Sequence, residues 1–351
     1  MLTNNELLQP VRIEGWHLRT KIVMAPMTRG FADDAEGTVG EDVVAYYRQR
    51  AENGIGLIIT EGITPSPRGK GTFGVPGLYT KDQVNAWRKV TDAVHLPGGT
   101  IVAQLWHVGR LTHPDLIGGI APQAPSALRA EGLVHRLRKP YGTPVAMTIA
   151  DIREVVLQYK EAAKNAIEAG FDGVEIHGAH GYLIDQFVSA VTNRRTDRYG
   201  GERKNRLMLM KEILGAVGEV AGMDRVIIRF SEIKDDQPNF RWSDPEAEIE
   251  TFLEMFREVG LRIIHPSTNS FSQPMSNGQT LHELVRKRWD GIVIGVGGLT
   301  PSLAADAIRE GVIDLAAFGR PLLANVDFVQ RLRRGQSLVP YDPAIHLKHL
   351  R

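Results

Sequence analysis

The 351-residue chain is long enough to bury a large core, and 42 basic residues against 41 acidic ones leave a net charge of +1. No excess of positive charge is present to hold a polyanion, so nucleic acid is not an expected partner. The sequence contains no cysteine, which excludes disulfides, thiolate nucleophiles and cysteine-ligated metals.

The stretch MLTNNELLQPVRI has no basic segment followed by an apolar one, and no apolar run approaches the ~20 residues that span a bilayer. A cytoplasmic protein without membrane contact is expected. From there on, short apolar runs alternate with amphipathic helical patterns. The run at 21–27 leads to a helix at 41–53, and 56–62 to 81–95. The run at 100–106 leads, after a long connection, to 150–168, and 173–177 to 202–220. The runs at 226–230, 261–265 and 291–296 lead to helices at 244–259, 280–288 and 301–310, and 315–318 is the eighth. Continuous apolar runs, without strict alternation, are the mark of strands covered on both faces, as in a parallel sheet. Asp244 before Pro245 and Thr300 before Pro301 read as caps followed by first-turn prolines. Gly54, Gly170, Gly260 and Gly311 follow helices, where a positive φ is expected.

Eight such units predict an α/β fold, a single (β/α)₈ barrel with long loops at its C-terminal face, forming one domain over 1–351. The alternative, an open doubly wound sheet, would carry G-x-G-x-x-G after its first strand; Met24-Ala25-Pro26-Met27-Thr28 stands there instead. Two stretches break the repeat. Residues 111–147 are too long for an idle loop, and 267–278 are polar and proline-bearing. Both follow strand C-termini, the face on which barrel active sites are built. Residues 331–334 read as a solvated basic helix end.

The most informative stretch runs from Val174 through His177-Gly178-Ala179-His180-Gly181-Tyr182 to Phe187. A buried strand ends on His177, and a glycine-rich turn presents His180 and Tyr182 before the next helix. Two imidazoles can converge on one carbonyl oxygen, and a phenol on the same rim can deliver a proton. His-x-x-His also fits zinc, but no third ligand stands out; a purely structural pair of histidines is the other plain reading.

The sequence resembles the Old Yellow Enzyme family of ene-reductases, which depend on flavin mononucleotide (FMN), over residues 7–334. The resemblance lies in Ala25-Pro26-Met27-Thr28-Arg29, Ile59-Thr60-Glu61-Gly62, Gln104-Leu105-Trp106-His107-Val108-Gly109-Arg110, His177-Gly178-Ala179-His180-Gly181-Tyr182-Leu183, Asn193-Arg194-Arg195-Thr196-Asp197-Arg198-Tyr199-Gly200-Gly201 and Phe318-Gly319-Arg320-Pro321. It implies that Ala25, Pro26 and Met27 lie along the flavin and that Thr28 bonds the carbonyl near N5. Gly62 and Gln104 would contact the ring, Gln104 at its pyrimidine edge. Arg229 would place a cation near N1 and C2=O, where negative charge gathers on reduction, which is sensible on physical grounds too; an ion pair in the barrel mouth is its other reading. Gly297, Gly298, Gly319 and Arg320 would hold the phosphate after the last two strands, backbone N–H groups and a forked cation closing on it. Gly297 alone would pass for a turn glycine.

By the same resemblance His177 and His180 would clamp the substrate's activating oxygen and Tyr182 would protonate the alkene carbon. Trp106 would line the substrate pocket or simply pack the barrel. Implied partners are non-covalent FMN, NADH or NADPH as reductant, and a small-molecule substrate, with no metal, in a monomer or homo-oligomer. The implied reaction moves hydride from the nicotinamide through the flavin to the activated C=C of an enone, enal, maleimide or nitroalkene, in ping-pong fashion. Departures occur at Ile228-Arg229-Phe230-Ser231-Glu232, over 234–242 and after Arg334, where the usual aromatic-rich tail is absent. The altered segment over 234–242 motivates an alternative, a biosynthetic flavoprotein that isomerises, cyclises or aromatises its substrate.

Overall fold

A computed structural model describes residues 5–350. Residues 1–4 and 351, which include the start of the segment scanned for a leader and both ends of the expected 1–351 domain, lie outside the described residues. Eight parallel strands close into a barrel: β1 (Ile22–Met24), β2 (Leu57–Ile63), β3 (Ile101–Leu105), β4 (Gly173–His177), β5 (Val226–Ser231), β6 (Ile263–Ser267), β7 (Ile292–Gly295) and β8 (Leu315–Phe318). Each strand pairs with its sequence neighbours, and β8 pairs back onto β1. The outer ring is α1 (Glu41–Glu52), α2 (Lys81–His95), α3 (Ile149–Glu168), α4 (Met208–Ala221), α5 (Pro245–Glu258), α6 (Leu281–Arg286), α7 (Pro301–Arg309) and α8 (Phe328–Arg333).

Helix ends follow the expected chemistry. Asp244 accepts from Ala247 N and Thr300 from Leu303 N, each before a first-turn proline. Gly54, Gly170, Gly260 and Gly311 all have φ between 72° and 94°. Two expectations need correction. The helix expected over 202–220 is broken at Leu207 into Arg203–Arg206 and α4. There Arg206 donates to the carbonyls of Val188 and Gly201, both at 2.6 Å, and the chain turns. The sixth strand starts two residues later than expected, because Leu261 N bonds Phe256 O and so belongs to the end of α5.

Alternation along each strand sorts the side chains. On β5, Ile228 and Phe230 join the outer core, and Phe230 meets Phe252 of α5 at a tilt and Phe256 edge-on, with centroids 5.2 and 5.4 Å away. Ile227 faces the barrel interior, which places Arg229 and Ser231 on the same inner side, nearer the mouth. On β4 the outward residues are Val174 and Ile176, leaving Glu175 and His177 inside. A hairpin with no counterpart in the expected elements, Val11–Ile13 paired with Trp16–Leu18, packs Ile13, Trp16 and Leu18 against the inner residues Val23, Leu57, Val102 and Ile263. The hydrophobic layers are therefore closed at the N-terminal end, and polar residues collect at the C-terminal end.

The 111–147 connection folds over that end, with a two-residue strand pair at Gln123–Ala124 and Val145–Ala146. It is tied down by the Asn193–Gly201 motif: Arg195 Nη1 donates to Pro125 O (3.1 Å) and Met147 O (2.5 Å), and Arg194 N to Ser126 Oγ (2.9 Å). The C-terminal segment also returns to the barrel. Val339 is bonded through both backbone groups to Asn325, and Arg29 Nη2 donates to His346 O and His349 O. Among the described residues no helix is long and apolar enough to cross a membrane.

Candidate active site

Two groups of expected residues meet at the barrel mouth. The first lines a cavity of about 460 Å³: Ala25, Pro26, Met27, Arg229, Gly297, Gly298, Gly319 and Arg320, with Thr268, Asn269 and Thr300 as further lining. That volume is in the range of small-molecule sites. Gly297 and Gly298 have φ of 133° and 61°, conformations that glycine alone adopts at no cost. Arg229 is buried, gives Nη2 to Ser267 Oγ at 3.0 Å and leaves Nε with no partner. Such an orphaned cationic donor costs free energy unless an acceptor reaches it. Burial lowers the Arg229 pKa, and the nearby Glu175 carboxylate opposes this.

Three expected cofactor contacts, Gly62, Gln104 and Thr28, are not part of that cavity's lining. Gly62 on β2 pairs in register with Gln104 on β3, and a Cβ there would fall 2.4 Å from Trp106 Cε3. Trp106 thus packs on Gly62, 6% exposed, in an apolar cluster with Val75, Val108, Leu111 and Ala130 that Tyr141 and Tyr182 also join. Thr28 is exposed and follows Met27 directly. The loop after β1 that carries it is held by Glu61. Glu61 Oε2 accepts from Arg29 N and Gly30 N, both at 2.9 Å, and burial pushes its carboxyl up to about 7 against those bonds. Arg320 lines the cavity but is exposed and not buried; it is the first residue of a short helix, Arg320–Ala324.

The second group is the rim of β4. His177 and His180 have ring centroids 5.2 Å apart, and His177 and Tyr182 are 5.0 Å apart, near-perpendicular in both cases. Trp106 meets Tyr182 edge-on at 5.0 Å. His180 holds φ of 61°, a left-handed conformation that costs a non-glycine residue about 1–3 kcal/mol. Two contacts hold it there: its N donates to Ser231 Oγ (3.0 Å) and its Nε2 meets Ser267 Oγ (3.0 Å). His177 Nδ1 accepts from Ala179 N at 3.3 Å, so its proton is assigned to Nε2, free to donate. Burial holds both imidazoles well below their usual pKa, with His180 and Arg229 adding to the effect at His177, and Arg229 and Lys234 at His180. They are neutral donors at neutral pH. Burial and the neighbouring Asp235 raise the Tyr182 phenol well above its usual value. Among the described residues no group of three or more His, Cys, Asp or Glu is arranged to hold a metal ion.

The sequence reading missed the residues that aim these groups. Gln104 Nε2 donates to Glu175 Oε1 at 2.7 Å, and Glu175 Oε2 meets His265 Nδ1 at 2.7 Å. Glu175 and His265 are fully buried. Their bonds orient the Gln104 amide, whose oxygen remains available as an acceptor. Ser267 joins Arg229 to His180. A signal was present: Glu175, Arg229 and His265 each interrupt an apolar strand, one step of the alternation below His177, Ser231 and Ser267.

A closed parallel barrel with this mouth defines a class, the FMN-dependent oxidoreductases of the Old Yellow Enzyme kind. The chain belongs to the NADH:flavin oxidoreductase / NADH oxidase family, whose model matches residues 6–338. It is 39% identical to flavin oxidoreductase hxnT of Emericella nidulans, over 96% of this chain and 92% of that protein. To 12-oxophytodienoate reductase 7 of Oryza sativa it is 37% identical, over 95% and 89%. Among solved structures, the Old Yellow Enzyme homologue of Zymomonas mobilis superposes with a TM-score of 0.89 at 33% identity, over 98% of this chain and 99% of that one. Morphinone reductase does so at 0.87 and 36%, over 98% and 93%, and it has also been solved in complex with tetrahydroNAD. The protein is an FMN-dependent oxidoreductase of the ene-reductase type.

Proposed function

We propose that the protein reduces the C=C bond of enones, enals, maleimides or nitroalkenes in a ping-pong cycle. The observation that carries the reading is the convergence of two neutral imidazoles and one phenol beside a cavity that ends on an unsatisfied guanidinium. Ala25–Met27, Gly62, Gln104 and Arg229 would hold the flavin ring, and Gly297, Gly298, Gly319 and Arg320 the phosphate. FMN held there would supply the hydride chemistry that links NADH or NADPH to the β-carbon of the alkene. His177 and His180 donate to the activating oxygen, where negative charge grows as hydride arrives, so their bonds are strongest in the transition state. Tyr182 holds the proton for the α-carbon. Trp106 and its apolar cluster keep water from that side of the pocket. Anaerobic mixing with NADH or NADPH should bleach the flavin, and cyclohexenone should restore its colour. Bleaching that no alkene reverses would overturn the reading.

The cofactor assignment carries its own test. Heat denaturation is expected to release FMN without a covalent remnant, and release of FAD would contradict the phosphate site. Arg320→Ala should weaken FMN retention more than it slows chemistry at saturating FMN. A charge-assisted contact is worth roughly 1.5–3 kcal/mol, and the exposure of Arg320 puts it at the low end, about tenfold in affinity. Unchanged flavin occupancy after long dialysis would remove Arg320 from the site.

A further inference from the structure

The loop after β5 is anchored more firmly than an idle loop requires. Three consecutive charged residues, Lys234, Asp235 and Asp236, each reach a different partner. Lys234 Nζ pairs with Asp185, the side chains 1% and 2% exposed. Asp236 pairs with Arg110, whose Nη1 also donates to Leu128 O at 3.0 Å. Lys234 and His180 form a parallel bridge, and Asp235 N donates to His180 O at 3.1 Å. Held between two buried ion pairs, Asp235 accepts the hydrogen of Tyr182 Oη at 3.1 Å. The residue is nevertheless exposed to solvent. One residue therefore reaches both the phenol at the pocket and the solvent-exposed surface.

We infer that Asp235 and Tyr182 form a two-step relay that carries a proton from solvent to the alkene carbon. The inference rests on the reading of Tyr182 as the acid. Once hydride has reached the β-carbon, the α-carbon holds the electron pair of the former double bond. That pair takes the proton of Tyr182 Oη, Tyr182 Oη takes one from the Asp235 carboxyl, and Asp235 is refilled from water. The relay needs Asp235 in its acid form. As a carboxylate it draws the Tyr182 hydrogen toward itself; as an acid it donates to Tyr182 Oη and frees that hydrogen for the pocket. The groups around Asp235 bias it toward the acid. Loss of hydration on its inner side raises its pKa, and Asp236 and Asp185 add to this, while the Tyr182 bond and Arg229 oppose it. Lys234 and Arg110 are each committed to another carboxylate, and Tyr141, whose own pKa burial raises with Asp236 and Asp235 adding to it, adds no charge. An acid whose pKa is raised keeps its proton to higher pH, so the relay is filled at low pH and empties as pH rises through the Asp235 titration.

The test compares the wild-type holoenzyme with Asp235→Asn and Asp235→Glu. Re-oxidation by cyclohexenone is followed by stopped flow across pH and in mixtures of H₂O and D₂O. The wild-type rate should fall as pH rises through the Asp235 titration, and its dependence on deuterium fraction should be curved, as two protons in flight require. Asparagine can orient Tyr182 but cannot pass a proton. Its variant should show a flat pH profile and a linear deuterium dependence, about tenfold slower than wild type at the acid end. Glutamate should restore both the limb and the curvature. An infrared carboxylic-acid band that titrates in the wild type and is missing in Asp235→Asn would give the same answer without turnover. An asparagine variant that keeps the wild-type limb and curvature would overturn the relay, as would one whose phenolate affinity drops tenfold while the limb stays. Tyr182→Phe separates the two readings: a slow phenylalanine variant beside an unaffected asparagine variant sinks only the relay, whereas wild-type enone reduction by Tyr182→Phe sinks the acid itself.

Discussion

Replacing both His177 and His180 with alanine is expected to slow re-oxidation of the flavin by enones by at least about 10³-fold, since one donor to a developing oxyanion is worth about 10²–10³ in rate. The two rings converge from one turn, 5.2 Å apart, and act as a unit, so the single replacements should not simply multiply. Phenolate ligands, which present the same charge on oxygen, should lose affinity in the double variant. Both imidazoles are held neutral well below their usual pKa, so the enone rate should show no limb near pH 6.5 that the alanine variant removes. Tyr182→Phe makes a different loss. It keeps the ring against Trp106 and His177 and keeps the clamp, but deletes the proton, which is worth about 10²–10⁴. It should bind phenolates nearly as the wild type does, still be bleached by nicotinamide, and reduce quinones or oxygen normally, because those acceptors need no proton from the protein. Enone reduction at the wild-type rate would show that the proton comes from elsewhere.

The barrel was legible because parallel strands buried on both faces leave continuous apolar runs, and helices leave caps and glycines. Two strands, Gly173–His177 and Leu315–Phe318, and the helix Lys81–His95 occur with the expected bounds. The N-terminal hairpin escaped because three-residue strands carry too little periodicity to register, although Trp16 contributes much of the plug. In the site, residues at strand ends were legible, since motif and position agree there. The braces were not. Glu175 meets His265 90 positions along the chain, and Lys234 meets Asp185 49 positions before it; no local pattern encodes such a pairing. The 234–242 segment looked only atypical in sequence. Folded, it supplies Lys234 and Asp235, which tie the β5 loop to the turn carrying His180 and Tyr182, and Asp236, which ties it to Arg110 after β3.

That tie leads to the largest expected change in stability, from Lys234→Met. Lys234 and Asp185 form an ion pair with almost no solvent access, and removing one partner of a buried pair costs about 3–5 kcal/mol because the other charge stays behind unpaired. The remaining partner cannot move away. Asp185 Oδ2 accepts from Gly181 N at 2.7 Å, inside the turn that places His180 and Tyr182, so the damage should reach the site as weaker phenolate binding. Methionine keeps the length of the lysine stem but removes the charge on Nζ, which lies 4.9 Å from the Phe240 ring centroid, so a cation–π contact goes with the ion pair. Burial already raises the Asp185 pKa in the folded protein despite Lys234, and without the lysine it should rise further. A folded-state carboxyl with a raised pKa binds its proton more tightly than the unfolded chain does, so stability is greatest below the unfolded value and falls as pH climbs through the folded one. The deficit of Lys234→Met in urea midpoint should therefore be small near pH 4 and grow toward neutrality. Adding Asp185→Asn should remove that pH dependence and recover part of the loss, since the amide can still accept from Gly181 N without a buried charge. A deficit that is the same at every pH, or a double variant less stable than the single one at pH 7, would mean that Lys234 acts through packing and not through its pairing with Asp185.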